Sequence, residues 1–208
     1  MIRRITRIVV QIVFLALFVF FIITDKTNFW LAIFGLSIIL AIFFGRIYCG
    51  WICPINTVMR PVNWIYAKLK LKRLNTPKWL KLKIIPWILL ALLVVTMMLG
   101  RFLNLKIPGL LVVLILGFIF SLVFRPEVFH NYICPYGALQ SLTGRFAKLT
   151  FRVDKGKCDG CSLCLKECDA EAININSKKA TIDSKLCHQC SECTAACPNY
   201  AINYEVNR

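Results

Sequence analysis

Apolar positions along the chain gather into four runs, roughly Ile8–Thr24, Phe29–Phe44, Ile84–Leu99 and Pro108–Phe124. No ionisable side chain interrupts any run, and Gln11 is the most polar residue inside one. Each run is somewhat shorter than the ~20 residues of an average membrane-spanning helix, and the interfacial residues at its ends make up the length. One such run could be the core helix of a soluble protein. Four of them, each flanked by charge, predict four transmembrane helices. The first follows Arg3, Arg4 and Arg7 as a signal peptide would, but its apolar stretch is too long and has no convincing small-x-small cleavage site. It reads as a retained span.

The polar segments between the runs set the orientation. Nine basic residues lie between the second and third runs: Arg46, Arg60, Lys68, Lys70, Lys72, Arg73, Lys78, Lys81 and Lys83. The loop before them has only Lys26 beside Asp25, and the loop after the third run only Arg101 and Lys106. Positive charge stays on the cytoplasmic side, so both termini and the basic loop are expected there, in a multi-pass protein of a prokaryotic cytoplasmic membrane. The net charge of +16 thus orients the chain and attracts anionic lipid. No nucleic-acid-binding motif accompanies it.

After the second and fourth runs the sequence repeats itself. Tyr48-Cys49-Gly50-Trp51-Ile52-Cys53-Pro54 aligns with Phe129-His130-Asn131-Tyr132-Ile133-Cys134-Pro135. A helical period follows each motif, with Ile55, Val58, Met59, Val62, Ile65, Tyr66 and Leu69 on one face of the first, and Leu139, Leu142, Phe146 and Leu149 on one face of the second. Both segments read as amphipathic helices lying at the membrane interface, the first anchored by Trp64 and Tyr66 and kinked at Pro61. Because the two halves share an orientation, the repeat is parallel, about an axis along the membrane normal. Proline after Cys53 and Cys134 places each cysteine at a helix N-terminus, where the dipole favours thiolate and hence metal binding or redox chemistry. Cys49, Cys53, Cys134 and His130 could converge on the axis as a third metal centre; structural thiols or a redox pair are the competing readings.

Composition changes sharply near residue 150. Eight of the eleven cysteines fall in the last 51 residues, as Cys158-x2-Cys161-x2-Cys164-x3-Cys168 and, 29 residues later, Cys187-x2-Cys190-x2-Cys193-x3-Cys197-Pro198. Tight x2 spacing lets one loop supply three corners of an iron–sulfur cubane, and the fourth cysteine of each run ligates the other cluster. The expected sets are Cys158, Cys161, Cys164 and Cys197 for one [4Fe–4S] cluster, and Cys187, Cys190, Cys193 and Cys168 for the second. Zinc is the competing reading of paired Cys-x2-Cys, but two complete four-cysteine runs suit it poorly. Between the runs, residues Ala172–Asp183 read as a hairpin turning at Ser177-Lys178, and Ala172-Ile173-Asn174 recurs as Ala201-Ile202-Asn203. His188, between two ligands, reads as a surface residue that tunes a cluster. The two histidines, His130 and His188, lie outside the apolar runs, which excludes bis-histidine haem inside the bundle.

Residues from about 150 onward resemble the bacterial two-cluster ferredoxins; Asp169 stands where the second run has Pro198, which bears on a local turn and not on the ligand. Across nearly its whole length the chain is similar to the NapH-type membrane polyferredoxins, whose membrane module also occurs in NosR-type and CcoG-type proteins. The resemblance rests on Cys49-Gly50-Trp51-Ile52-Cys53-Pro54, Cys134-Pro135-Tyr136-Gly137-Ala138 and the two ferredoxin runs. It departs from the family at His130, where the first cysteine of the second motif is expected. The resemblance implies a four-helix transmembrane bundle over residues 1–149 and an α+β ferredoxin-like domain with two [4Fe–4S] clusters over 150–208. It also implies electron transfer between membrane quinone and a protein partner in a membrane complex. The quinone vicinity is expected at Arg46, Tyr48, Trp51, His130 and Tyr132. Copper reduction or metal assembly of the CcoG kind, and redox sensing by a membrane regulator, are the alternatives.

Overall fold

A computed structural model describes residues 2–74, 77–102 and 109–206; Lys106, Pro108 and Arg208 lie outside the described residues. In chain order the elements are α1 (Ile2–Ile23), α2 (Thr27–Phe44), α3 (Ile47–Trp51), α4 (Pro54–Lys68), a 3-10 turn (Lys78–Lys81), α5 (Ile85–Phe102), α6 (Gly109–Val123), α7 (Pro126–Tyr132) and α8 (Pro135–Gly144). There follow β1 (Leu149–Val153), α9 (Leu163–Lys166), β2 (Ile173–Asn176), β3 (Lys179–Ile182), α10 (Glu192–Ala196) and β4 (Ile202–Val206).

All four apolar runs are helical where they are described. Two reach spanning length: Arg4–Ile23 within α1 and Thr27–Phe44, 20 and 18 residues with mean hydropathy 2.6 and 2.1. The apolar stretches Ile85–Gly100 and Gly109–Val123 are shorter. Only 17% and 22% of the two longer helices is buried, and Ile12, Val13, Ile39, Leu92, Val95 and Ile119 all stand more than half exposed. A soluble core helix would hide these side chains. Here they form an outward apolar surface far larger than an ordinary protein surface carries.

The internal repeat is structural as well as sequential. Cys53 and Cys134 are the N-cap residues of α4 and α8, with φ, ψ of −62°, 119° and −65°, 115°, and a proline opens each helix. The backbone N–H of Cys53 donates to Tyr48 O at 2.8 Å, and that of Cys134 to Phe129 O at 2.7 Å. One residue earlier, Ile52 and Ile133 donate to the same two carbonyls at 3.0 Å. Proline fixes its own φ and bars the helix from continuing back through the cysteine, so each motif makes the same sharp turn between two helices.

The helices after these turns do not simply lie on the apolar bundle. The second helix stops at Gly144, and Leu149, expected on its face, opens β1 instead, because β1 pairs antiparallel with β4 from Leu149↔Val206 to Val153↔Ile202. Leu142 and Phe146 point outward, 43% and 59% exposed, while Pro135, Tyr136, Gly137, Gln140 and Gly144 face inward. Gln140 reaches into the bundle and donates through Nε2 to Ser37 Oγ of α2 at 2.6 Å. The inner side thus holds Tyr136 and Gln140 with Leu139 packed beside them, and Leu142 and Phe146 share the outer side with the exposed Arg145 and Lys148. On α4 the buried residues are Pro54, Ile55, Met59 and Val62, and Pro61 sits inside the helix. Gly117 of α6 makes room for them: a Cβ there would lie 2.8 Å from Met59 Cε and 3.0 Å from Ile55 Cγ2.

The cysteine-rich unit follows the expected duplication. Ser177 and Lys178, at φ 50° and 60°, make a two-residue hairpin turn between β2 and β3. The turn after Cys168 matches the turn after Cys197 despite the Asp169-for-Pro198 exchange. Glu171 N donates to Cys168 O at 3.1 Å and Tyr200 N to Cys197 O at 3.4 Å, and both residues take a left-handed conformation.

One ion pair locks the two parts together. Arg7, buried near the start of α1, donates to Glu192 Oε1 at 2.5 Å and to Cys190 O at 3.0 Å. Arg60 Nη2 and Arg4 Nε lie 3.6 and 3.8 Å from the same carboxylate. Removing the anion leaves Arg7 buried without a counter-charge, which typically costs about 3–5 kcal/mol. Glu192→Ala should therefore lower the thermal stability of the detergent-solubilised protein by that order. A Glu192→Leu, Arg7→Met double variant should recover most of the loss, and an unchanged melting temperature for the single variant would refute the assignment.

Candidate functional site

Two cavities lie in the cysteine-rich unit. Cys158, Cys161, Cys164 and Cys197 line the first, with Val153, Ile175, Ala180 and Ile202 as its apolar wall. Cys168, Cys187, Cys190 and Cys193 line the second, with Phe151, Ala172, Ile173, Ile182 and His188. Each cavity thus collects three cysteines of one run and the last cysteine of the other, the partition expected of two cubanes that exchange their fourth ligand. Eight thiol donors around two apolar cavities fit [4Fe–4S] clusters in number and chemistry. Among the described residues no three His, Cys, Asp or Glu side chains meet at the spacing of a single metal ion.

The backbone is shaped for these loops. Ser162 and Ser191, after the second cysteine of each run, both take a left-handed conformation, at φ 65° and 61°. So do Gly160 and Gln189 before those cysteines, at φ 78° and 54°. A Cβ on Gly160 would sit 2.4 Å from Lys178 O, so both the conformation and the space demand glycine. Backbone N–H groups reach sulfur in matching places: Ala172 to Cys168 Sγ and Ala201 to Cys197 Sγ, each at 3.4 Å, and Ala180 to Cys158 Sγ at 3.5 Å. Such N–H···S contacts orient a ligand and tune a bound cluster. The repeated Ala-Ile-Asn triplets therefore mark the donors to the two exchanged cysteines. Burial pushes the Cys187 thiol up to about 12 and raises Cys193 as well, so iron loading must displace protons there.

At the bundle edge, Cys49, Cys53 and Cys134 come together in one buried core with Tyr48, Phe34, Met59, Phe129 and Tyr136. The expected thiolate does not follow. Burial, then the neighbouring thiols, raise Cys53, and burial pushes Cys134 up to about 12 against the hydrogen bond from the Gly137 backbone. Desolvation in an apolar core outweighs the end of a short helix.

His130 points the other way. Its ring meets that of His188 edge to face, centroids 5.4 Å apart, and the Nε2 atoms of both are buried without a partner among the described residues. His188 is thus no surface residue. It is 4% exposed, wedged between the second cavity and the bundle edge.

The residues expected near quinone are occupied by packing. Arg46, 1% exposed, sends Nη1 to Lys185 O at 3.2 Å and Nη2 to His130 O at 3.5 Å, and Nη2 lies 3.9 Å from Cys49 Sγ. Tyr48 Oη accepts from Trp30 Nε1 at 3.0 Å, and Trp51 Nε1 donates to Gln189 O at 3.0 Å. Tyr132 closes α7 and is half-buried. Gly50 lies against the second cysteine loop, where a Cβ would sit 2.0 Å from His188 O. Three further residues join the parts: Gln11, the polar residue inside the first apolar run, donates to Gly50 O at 2.9 Å; Asn131 donates to Ala170 O at 2.9 Å; and Glu192 pairs with Arg7. A lone amide in an apolar run marks Gln11 as bonded but does not name its partner, and nothing in sequence marks Asn131 or Glu192.

Burial, then the Arg46 charge, push His130 down to about 3. The unfolded imidazole titrates near 6.5, so the unfolded state binds the extra proton between those values. His130 therefore costs no stability above about pH 6.5 and about 1.4 kcal/mol per pH unit on acidification below it. Comparing His130→Gln with the parent between pH 7 and pH 5, the parent should lose stability more steeply. Parallel curves would show that His130 is not buried neutral.

Known proteins fit this geometry. The family model described as a 4Fe-4S binding domain matches twice, at residues 28–73 and 107–153, on the two halves of the repeat. A 4Fe-4S dicluster domain matches residues 157–202. An uncharacterized protein of Methanocaldococcus jannaschii is 35% identical over 69% of this chain and 58% of its own length. The methylamine utilization ferredoxin-type protein MauN of Methylobacillus flagellatus is 29% identical over 61% and 49%. The ferredoxin-type protein NapH of Haemophilus influenzae is 27% identical over 66% and 53%. The chain spans about half the length of these curated relatives. No solved structure matches it. Its duplicated cysteine–proline elements and its paired four-cysteine cavities, together with these relatives, place the chain among the NapH-type polyferredoxins.

Proposed function

We propose that the chain is a membrane-anchored electron carrier that relays single electrons between the quinone pool, or a membrane partner, and a second redox protein. The observation that carries this reading is the division of eight cysteines between two cavities in the crossed pattern of a two-cluster ferredoxin. In this reading Cys158, Cys161, Cys164 and Cys197 hold one cluster, and Cys187, Cys190, Cys193 and Cys168 the other. A bound [4Fe–4S] cluster supplies reversible one-electron transfer at each site. The chain's own residues hold the sulfurs, donate N–H groups to them, and keep water from the second site with Phe151, Ile173 and His188. No general acid or base is required.

The outward apolar faces of α1, α2, α5 and α6 support four spans, with the neighbouring helices compensating for the shortness of α5 and α6. The contact of Arg7 with Cys190 and Glu192 supports placing the start of α1 and the cysteine-rich unit on one side, and the nine basic residues after α2 favour the cytoplasm. Domains of residues 1–149 and 150–208 are part of the same proposal. Quinone would meet the chain near Tyr132, Trp51 and the His130–His188 contact, the edge of the bundle closest to the second cavity.

The gathering of Cys49, Cys53 and Cys134 in one core favours a second reading, in which these thiols handle copper or another metal. Iron analysis and EPR distinguish the cases. About eight irons per chain are expected for two cubanes. About four, or zinc, would overturn the two-cluster assignment, and a count clearly above eight would add a third centre at the edge thiols. A quinol analogue should bleach the cluster absorbance of the reconstituted protein; with eight irons present and no bleaching, the quinone assignment falls. Copper(II) reduction lost in Cys53→Ser, with quinol reactivity retained, would favour the second reading.

A further inference from the structure

The cysteine-rich unit carries an uneven surface, and its two ends face different neighbours. Residues 150–208 contain eight basic and eight acidic side chains, so the unit is formally neutral and the chain's +16 resides in the remainder. The hydrogen bonds that join the unit to the helices come from residues 169, 170, 185, 189, 190 and 192, all around the second cavity. Two of its acids lie on that side, Glu192 against Arg4, Arg7 and Arg60, and Asp169 against Asn63 at 3.4 Å. A basic bundle has taken up an acidic face.

The first cavity opens elsewhere. Cys161 is exposed; Leu163, two residues on, is 42% exposed, and Tyr200, three residues after the Cys197 of the same cavity, is 80% exposed. Lys155 and Lys157 stand exposed on the segment leading into Cys158, and Lys178 stands exposed at the hairpin turn. Lys178 is fixed close by, because its carbonyl packs on Gly160, and Lys179 Nζ donates to Cys158 O at 2.5 Å. Two acids of this rim, Asp154 and Asp159, are exposed as well and accept from the backbone N–H groups of Gly156 at 2.8 Å and Cys161 at 3.1 Å. Lys155, Lys157, Lys178 and Lys179 outnumber these two acids, so the rim is net positive around the exposed Leu163, which directly precedes Cys164. This is the pattern of a transient docking site: a charged rim steers the partner, and a dry patch seats it.

We propose that the face around Cys161 docks an acidic one-electron redox protein, such as a small acidic ferredoxin. The proposal rests on the electron-carrier reading and adds the port and the charge of the partner. Steering by lysines predicts association that weakens steeply with salt, since the Debye length falls from ~30 Å at 0.01 M to ~8 Å at 0.15 M.

The test uses the full iron-loaded chain in nanodiscs of neutral lipid, with a small acidic ferredoxin as probe and a basic c-type cytochrome as control. Binding is followed by interferometry, separately from electron transfer. The acidic probe should bind at least about tenfold more weakly at 0.15 M than at 0.01 M ionic strength. The Lys155→Glu, Lys157→Glu, Lys178→Glu variant should lose about tenfold in affinity at low salt, with its iron content unchanged. A Lys68→Glu, Lys70→Glu variant, altered on the bundle and away from this rim, should bind like the parent. Equal weakening in both variants, tighter binding of the cytochrome, or salt-independent binding would overturn the docking site. Rim-dependent binding without electron transfer from the reduced probe would leave the docking site standing and overturn the carrier reading.

Discussion

The arrangement depends on how the carbonyl groups of one cysteine loop are satisfied. Wrapping three sulfurs around a small volume forces left-handed backbone at Gln189 and Ser191, and such a loop cannot pair its own carbonyls as a helix or strand would. Lys185 O, Gln189 O and Cys190 O are met by Arg46, Trp51 and Arg7, and His188 O lies against Gly50. The donors come from α1, from α3 and from the turn before α3, so three pieces of the bundle edge are fixed by one loop. Arg46 then extends the connection to His130 O and to the Cys49 sulfur. A loop demanded by cofactor geometry becomes the clamp for the whole molecule.

The bundle edge is duplicated, but its load is not. Both halves make the same turn at a cysteine–proline pair, yet the cysteine-rich unit rests its second loop on the first half. The second half reaches it through Asn131 and the ring contact of His130. His130 departs from the thiol of the other half at the position where a second histidine, His188, packs against it. The three remaining thiols withdraw into an apolar core, where desolvation favours the protonated form of Cys53 and Cys134 unless a metal displaces the proton. The two motifs are alike in backbone and differ in what their side chains meet.

Much of this was legible in the sequence. The two cysteine runs specify the two cavities because x2 spacing leaves few ways to present three sulfurs, and the hairpin at Ser177-Lys178 follows from two short alternating strands around a polar pair. The cysteine–proline turns were legible because proline acts on its immediate neighbours. What failed depended on what lay across the fold. The apolar face of α8 was visible as a period, but of that face Leu139 alone packs on the bundle core, because Tyr136 and Gln140, the latter bonded to Ser37, fill the inner side. Leu149 extended that period numerically, yet strand pairing with Val206, far along the chain, claimed it. His188 looked like a polar residue in a loop. Only the bundle packed over that loop buries it.

The Arg7–Glu192 pair also constrains how the molecule is made. Its partners are 185 positions apart, so at least that length of chain must be made before they meet. Until Glu192 has been made, Arg7 lacks this counter-charge and the second cysteine loop lacks this anchor. The interface is therefore a product of long-range folding and not of local structure. Its closure therefore carries the loop-closure entropy of the whole intervening chain, a cost that the buried Arg7, once paired, must offset.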